Sequence, residues 1–257
     1  MMDDVKLVGT LDVTELVFLA FILFFLTLIF YLRREDRREG YPLEDETTGR
    51  VDTAGGPLLT ATAKTFLMPF GRGTVTTPTK GRETVDVAGW RTFRSPGAPY
   101  APTGDPLADG IGPAAWAERA RHPDLNAHGG NRIVPIGLVA QIGVHRKDAD
   151  PRGMTVIGAD GKVAGTVTDL WVDNAEHVIR YLQIDAGGKT VLAPMAMAKV
   201  KGRARQVVID ALNASQFAGA PVPLKADEIT FYEEERIVAY FGGGYLYANR
   251  ARQEPIL

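Results

Sequence analysis

The 257-residue sequence contains no cysteine, which excludes disulfide bonds, thiolate nucleophiles, cysteine-ligated zinc and iron–sulfur clusters. It has only four histidines, and no two of them show the i, i+4 spacing of a helical zinc-binding motif. An excess of positive charge is also missing, since the net charge is −2. We therefore expect no nucleic-acid partner, because nucleic-acid binding normally needs a clustered basic surface.

Catalytic signatures are missing as well. The sequence has no G-x-S-x-G motif, no P-loop lysine motif and no G-x-G-x-x-G motif after a strand. We therefore predict that the chain is not an enzyme. A membrane-anchored hydrolase, with catalytic groups dispersed along the sequence, is left as an alternative.

A long apolar run stands near the N-terminus. Leu16–Leu32 has 17 residues without charge, glycine or proline, and from Val13 a helix would rise about 30 Å, the thickness of the hydrocarbon core. Asp12 and Glu15 have capping-box spacing, and Tyr31 suits the far membrane interface. We predict a transmembrane helix over residues 13–32. The alternative, a cleaved signal peptide, is disfavoured by the length of the run and the charges that follow it.

Charge on the two flanks predicts the orientation of this helix. Four arginines follow it, against one lysine before it: Arg33, Arg34, Arg37 and Arg38. The positive-inside rule then leaves residues 1–12 on the far side of the membrane and places the bulk of the chain, C-terminal to the helix, in the cytoplasm. The same arginines suit contact with anionic lipid or partner subunits, and the sequence leaves open whether they act only as a topology signal.

Residues 33–132 are rich in glycine, proline and threonine and show little sustained periodicity. Scattered aromatic residues favour an extended segment that drapes on a partner, with disorder as the alternative. A short helix is predicted in Gly112–Pro123, with Pro113 at its first position.

Residues 133–257 are predicted to form a mainly β domain that ends in a helix. Strands are expected at Val163–Asp173, Val178–Asp185, Thr190–Ala193 and Gln206–Ala211, and Pro194 indicates an edge strand. Several short strands at this spacing suggest a small barrel. The final helix is expected to end at Gly242, because glycine commonly caps helices in a left-handed conformation.

Six sequence blocks occur in the order of a known family and extend over nearly the whole chain. They are RREGYPLED (Arg37–Asp45), KTFLMPFGRGT (Lys64–Thr74), APTGDPLADGIGPAAW (Ala101–Trp116), WVDNAEHVIRYL (Trp171–Leu182), LAPMAMAKV (Leu192–Val200) and YFGGGYLYA (Tyr240–Ala248). Together they resemble the H subunit of purple-bacterial photosynthetic reaction centres. The resemblance implies that the β domain is a PRC barrel, that the membrane is a bacterial inner membrane and that residues 1–12 are periplasmic.

The resemblance also implies a function by assembly. In this family the L and M subunits carry bacteriochlorophyll, bacteriopheophytin, quinones and non-haem iron, while the H subunit covers their cytoplasmic face and conducts protons to the secondary quinone. We therefore expect no pigment or metal on this chain alone. Whether a light-harvesting antenna is a further partner stays open, as does an alternative function as a membrane-tethered PRC-barrel adaptor of another assembly.

Glu176 is the first proton-transfer residue that the resemblance implies, since it stands where the family has a conducting glutamate. Asp173 and Arg180 flank it and also match the family. Without the resemblance, Glu176 reads as an ordinary exposed turn residue. Glu228 and Glu234 match acidic positions of the family, although a solvated helix face would look the same.

A surface cluster of one aspartate and two histidines takes up protons in the family, and this sequence retains only His128 of it. Asn126 replaces the aspartate and Gly130 the second histidine, so we predict weak metal binding there. Asp124 keeps a carboxylate nearby, and His177 is a candidate replacement. Tyr41, just inside the membrane, is expected to contact lipid or partner subunits, as is Arg38.

Overall fold

The computed structural model describes residues 6–8, 11–38, 43–44, 51–52, 61–78, 87–95 and 97–252. The chain divides into two compact units. The first unit consists of residues 1–85 and 94–97, and the second of residues 86–93 and 98–257.

Helix α1 (Val13–Glu35) is the longest element among the residues of the first unit that the structure describes. It begins with the predicted capping box, in which Asp12 accepts the amide of Glu15 at 2.7 Å. No side chain of this helix is buried, and by length and composition it is apolar enough to cross a membrane. The predicted span, residues 13–32, lies within it.

Short antiparallel strand pairs make up the other elements that are described in this unit. They are β1 (Lys6–Val8) with β2 (Leu11–Asp12), β3 (Leu43–Glu44) with β4 (Val51–Asp52), and β5 (Lys64–Leu67) with β6 (Thr74–Thr77). Arg38 is buried at the open end of the last pair, where it donates to the carbonyl oxygens of Thr62 at 2.7 Å and Thr77 at 2.8 Å. Its guanidinium therefore holds the β5–β6 hairpin beside the end of α1.

The second unit begins with strands β7 (Gly89–Arg91) and β8 (Tyr100–Pro102), helix α2 (Pro106–Asp109) and a 3-10 turn at Gly112–Ala114. The helix predicted in Gly112–Pro123 is wrong beyond this turn. The carbonyl groups of Ala120 and His122 instead accept the first backbone amides of the C-terminal helix, at 3.1 and 3.2 Å. The segment is therefore held extended against another element.

A seven-stranded sheet forms the PRC-barrel-like part of this unit, as predicted. Its strands are β9 (Ile133–Pro135), β10 (Thr155–Ile157), β11 (Val163–Asp173), β12 (Val178–Asp185), β13 (Thr190–Pro194), β14 (Lys199–Lys201) and β15 (Gln206–Val208). The order is β13-β12-β11-β10-β15-β14, with β9 paired to β11. Only β10 and β15 pair in parallel. The predicted strands are confirmed, β15 being shorter than expected, and β13, which ends at Pro194, lies at the sheet edge.

Five further 3-10 turns complete the second unit: Ile136–Leu138, Met195–Met197, Gly202–Ala204, Ala214–Gly219 and Arg250–Arg252. The core between sheet and helix contains large side chains that are almost fully buried, among them Trp171, Leu182, Phe217 and Phe241. Burial of each such side chain stabilises the fold by about 1.5–3 kcal/mol.

Helix α3 (Phe231–Tyr247) packs on this core and begins with a capping box between Thr230 and Glu233. Its predicted end at Gly242 is wrong, because the helix continues through three glycines. A side chain at Gly243 would collide with Ala114, and one at Gly244 with the backbone of Ala211. These glycines therefore serve close packing of the helix instead of ending it.

Candidate functional site

The sequence WVDNAEH covers the last three residues of β11 and the turn that leads to β12. Asp173, at the end of β11, is buried, and its Oδ1 accepts the backbone amides of Ala175 and Glu176 at 3.0 Å each. His177 has a φ of 57°, a left-handed conformation that lets the chain re-enter the sheet at Val178. The buried carboxylate thus fixes the turn, and Glu176 projects from it into solvent.

Arg132 joins three carboxylates. It directly precedes β9, whose register pairs Ile133 with Asp173, so the guanidinium lies beside the end of β11. Nε donates to Asp173 Oδ2 at 2.8 Å, Nη1 to Asp124 Oδ2 at 3.3 Å, and Nη2 to Glu176 Oε1. One planar cation therefore links a buried, a half-buried and an exposed carboxylate. A guanidinium suits this arrangement because it presents several N–H donors in a fixed plane.

A second acid lies close by on α3. The hydroxyl of buried Tyr181, on β12, donates to Glu234 Oε2 at 2.7 Å. Burial raises the pKa of the Glu234 carboxyl, while the hydrogen bond from Tyr181 and the charge of Arg180 oppose that rise. Burial likewise raises the pKa of the Tyr181 phenol, and the neighbouring Glu234 adds to this effect. Glu234 is therefore a carboxyl group that holds its proton more readily than an exposed one.

These groups line one open pocket of about 400 Å³. Its wall contains Asp124, Arg132, Asp173, Arg180, Tyr181 and Glu234, with Arg119, Ile133, Phe231, Glu235 and Val238 completing it. Four predicted proton-transfer residues therefore share this pocket, which we call the acidic pocket. Glu176 is connected to it through Arg132.

The loop that bears His128 is shaped by Asn126. Its Oδ1 accepts the amides of His128 at 3.0 Å and Gly130 at 3.1 Å, and its Nδ2 donates to Asn174 at 3.2 Å. His128 itself is exposed and does not line the acidic pocket. Among the residues that the structure describes, no group of three or more histidine, aspartate or glutamate side chains has the arrangement of a metal site.

Glu228 and His177 lie outside the acidic pocket. Glu228 pairs with Lys225 at 2.7 Å, which lowers its pKa, and accepts a bond from Asn131 at 3.4 Å. His177 lines a second pocket of about 590 Å³ together with His145. The fold therefore separates residues that the sequence analysis assigned to one proton-transfer function: Glu228 lines neither of these two pockets.

The basic cluster at the C-terminal end of α1 is also divided by the fold. Arg33 pairs with Asp36 at 3.1 Å on the surface, and Arg34 reaches the hydroxyl of Thr62 at 3.3 Å. Arg38 is turned inward, so its guanidinium serves the fold of the first unit. Lipid or partner contact by Arg33, Arg34 and Arg37 stays a prediction, and Tyr41 lies outside the described residues.

Among the pocket residues that the sequence analysis missed, Arg132 and Tyr181 form hydrogen bonds with predicted carboxylates. Arg132 is 41 positions from Asp173, and Tyr181 is 53 positions from Glu234. No local pattern signals pairs of such separation. Only knowledge that β9 pairs with β11, and that α3 begins beside β12, would have revealed them.

Comparison with protein families agrees with this architecture. The model of the photosynthetic reaction centre H-chain N-terminal region matches residues 5–138, more than half of the chain. The PRC-barrel domain model matches residues 144–216, which include strands β10 to β15. The resemblance seen in the sequence is thus confirmed: the chain belongs to the photosynthetic reaction centre H-chain family and carries a PRC-barrel domain.

Proposed function

We propose that this chain covers the quinone side of the L and M subunits of a type II reaction centre, stabilises their assembly and conducts protons to the secondary quinone. The observation that carries the proposal is the acidic pocket, in which Arg132 links three carboxylates beside the Glu234–Tyr181 pair. Membership of the H-chain family supplies the partners, since an H chain associates with other reaction-centre subunits.

Proton conduction needs a chain of groups that exchange protons with water and with each other. Asp124 and Glu176 are open to solvent and would collect protons at the mouth of the pocket. Arg132 would hold their carboxylates in place without itself releasing a proton, because a guanidinium stays charged at any physiological pH. Glu234, whose pKa is raised, would keep a proton available deeper in the pocket.

The pigments, quinones and iron belong to the partner subunits in this proposal. Reduction of the quinone consumes electrons that the partner subunits would deliver, while this chain would supply the protons and exclude bulk water. The arginines at the C-terminal end of α1 favour a cytoplasmic location for the second unit. The aromatic side chains of residues 87–132 suit burial against the partners, since Trp90, Phe93 and Tyr100 are each about half exposed in the isolated chain.

The first experiment tests the assembly. The chain is affinity-purified from its native host in mild detergent, and the absorption spectrum of the preparation is recorded. Co-purifying bacteriochlorophyll bands are expected. A colourless, monodisperse chain would refute the proposal and favour a tethered PRC-barrel adaptor.

The second experiment tests proton conduction in isolated reaction centres. Glu176→Gln keeps the size of the side chain but removes its titratable proton, so proton uptake after the second flash is expected to slow. Glu118→Gln is the matched control, because Glu118 is an exposed carboxylate that pairs with Arg121 outside the acidic pocket. If uptake is equally fast in both variants, Glu176 has no part in the relay.

A further inference from the structure

The β5–β6 hairpin is fastened at its open end to the C-terminal end of α1. Arg34 Nη2 donates to Thr62 Oγ1 at 3.3 Å, and Arg38 donates to the carbonyl oxygens of Thr62 and Thr77 at 2.7 and 2.8 Å. All of these residues belong to the first unit. The hairpin therefore has a defined position relative to the membrane-crossing helix.

Two successive contacts give the direction in which the hairpin runs. Thr62 contacts the side chains of Arg34 and Arg38. Two residues further along, Lys64 Nζ lies 3.0 Å from Glu35 Oε2 and 6.0 Å from the ring centroid of Tyr31. The chain thus passes from the outer end of α1 back toward its apolar stretch. The hairpin consequently points toward the membrane boundary.

The strand register shows which face the hairpin turns to that boundary. Lys64 pairs with Thr77 and Phe66 with Val75, so Lys64, Phe66 and Val75 share one face. Phe66 and Val75 are 47% and 46% exposed, although they form a cross-strand apolar pair. The opposite face carries threonines, with Thr65 and Thr76 hydrogen-bonded at 2.8 Å, and one exposed leucine near the tip.

The tip of the hairpin presents an aromatic ring beside a cation. Phe70 has a φ of 59°, a conformation that is costly for a bulky residue, and it is 57% exposed. The guanidinium of Arg72 lies 6.0 Å from its ring centroid. Aromatic rings combined with basic groups are typical of segments that lie at the boundary between lipid headgroups and acyl chains.

We propose that the β5–β6 hairpin is a second, interfacial membrane anchor. The face with Phe66 and Val75, together with Phe70 at the tip, enters the boundary between headgroups and acyl chains. Lys64 and Arg72 lie at the level of anionic lipid phosphates. The contacts favour lipid as the surface that this apolar face touches. The face lies on the side of the hairpin that is near Tyr31, and Tyr31 marks the level at which the membrane helix leaves the hydrocarbon. The proposal is independent of proton conduction.

The absence of cysteine from this chain makes a site-specific test possible. Val75→Cys and Thr74→Cys place a nitroxide spin label on neighbouring positions that face opposite sides of the hairpin. The complex that contains the full-length variant is placed in vesicles with anionic lipid. Relaxation of each label by oxygen, which concentrates in lipid, is compared with relaxation by a water-soluble nickel chelate. The wild-type complex, treated in the same way, gives the background from partner cysteines.

The proposal predicts that the Val75 label is reached by oxygen and protected from the nickel chelate, whereas the Thr74 label is reached by the chelate. Equal access of the chelate to both labels would overturn it, because the apolar face would then lie in water. Protection of the Val75 label from both reagents would also overturn it, since a protein surface would then cover the face. Phe66→Cys reports on the same face if the Val75 variant does not assemble.

Discussion

Removal of the cation at the centre of the acidic pocket tests whether Arg132 organises it. Arg132→Gln keeps a long polar side chain but takes away the charge that faces Asp173 at 2.8 Å. The Asp173 side chain is only 1% exposed, so water cannot replace the lost donor. The buried carboxylate would then depend on the two backbone amides of its own turn.

The size of the effect follows from this geometry. Loss of one partner from a fully buried ion pair costs about 3–5 kcal/mol, and loss of a hydrogen bond to a charged group about 1.5–3 kcal/mol. Arg132 is 27% exposed, and Asp173 keeps its amide donors, so the lower range applies. We expect Arg132→Gln to lower the free energy of unfolding by about 2–3 kcal/mol.

Urea denaturation of the full chain in detergent, followed by fluorescence of the buried Trp171, measures this difference. Arg152→Gln is the control, because Arg152 forms an exposed pair with Asp150 and its loss should cost about 0–1 kcal/mol. In an Asp173→Asn background the effect of Arg132→Gln should shrink, since its main partner has lost its charge. Equal costs for the two arginine variants would refute the reasoning.

Three other outcomes are expected. Tyr181→Phe removes the hydrogen bond that lowers the pKa of Glu234, so infrared titration of the complex should find Glu234 protonated up to higher pH; an unchanged titration would contradict the pairing. Gly244→Ala forces a methyl group against a backbone carbonyl and should destabilise the second unit by about 1–3 kcal/mol in the urea assay. Gly242→Ala, where the structure has space for a methyl group, should be neutral or stabilising. Equal effects of the two variants would contradict the packing described. Calorimetry should detect only weak zinc binding, and a tight site that depends on His128 would disprove this.

Local sequence patterns were sufficient to predict much of the fold. The apolar run and its capping box predicted the helix that begins at Val13, and alternation predicted β11 and β12 nearly to the residue. Both signals depend on neighbours within a few positions, which is the range that a sequence displays directly. The family resemblance then supplied Glu176 and Glu234 as candidate residues.

Errors arose where distant residues decide the local structure. Glycine at position 242 predicted a helix end, yet the adjoining glycines are there because Ala114 and Ala211 approach the helix closely. The segment before Pro123 has helix-forming residues, but its carbonyl groups accept amides from the first turn of α3. The contact between Arg132 and Asp173 depends on the pairing of two strands, which no short motif encodes.

The parallel pairing of β10 with β15 has a consequence for biogenesis. These strands are about fifty residues apart, so the sheet cannot close before Gln206 has been synthesised. At about 5–20 residues per second, that point comes roughly 9–34 s after the last residue of α1 has been synthesised. During this interval a nascent chain whose α1 has entered the bilayer, as proposed, would carry unpaired strands. A premature stop codon before Gln206 would therefore leave a tethered, unclosed product for membrane proteases to degrade.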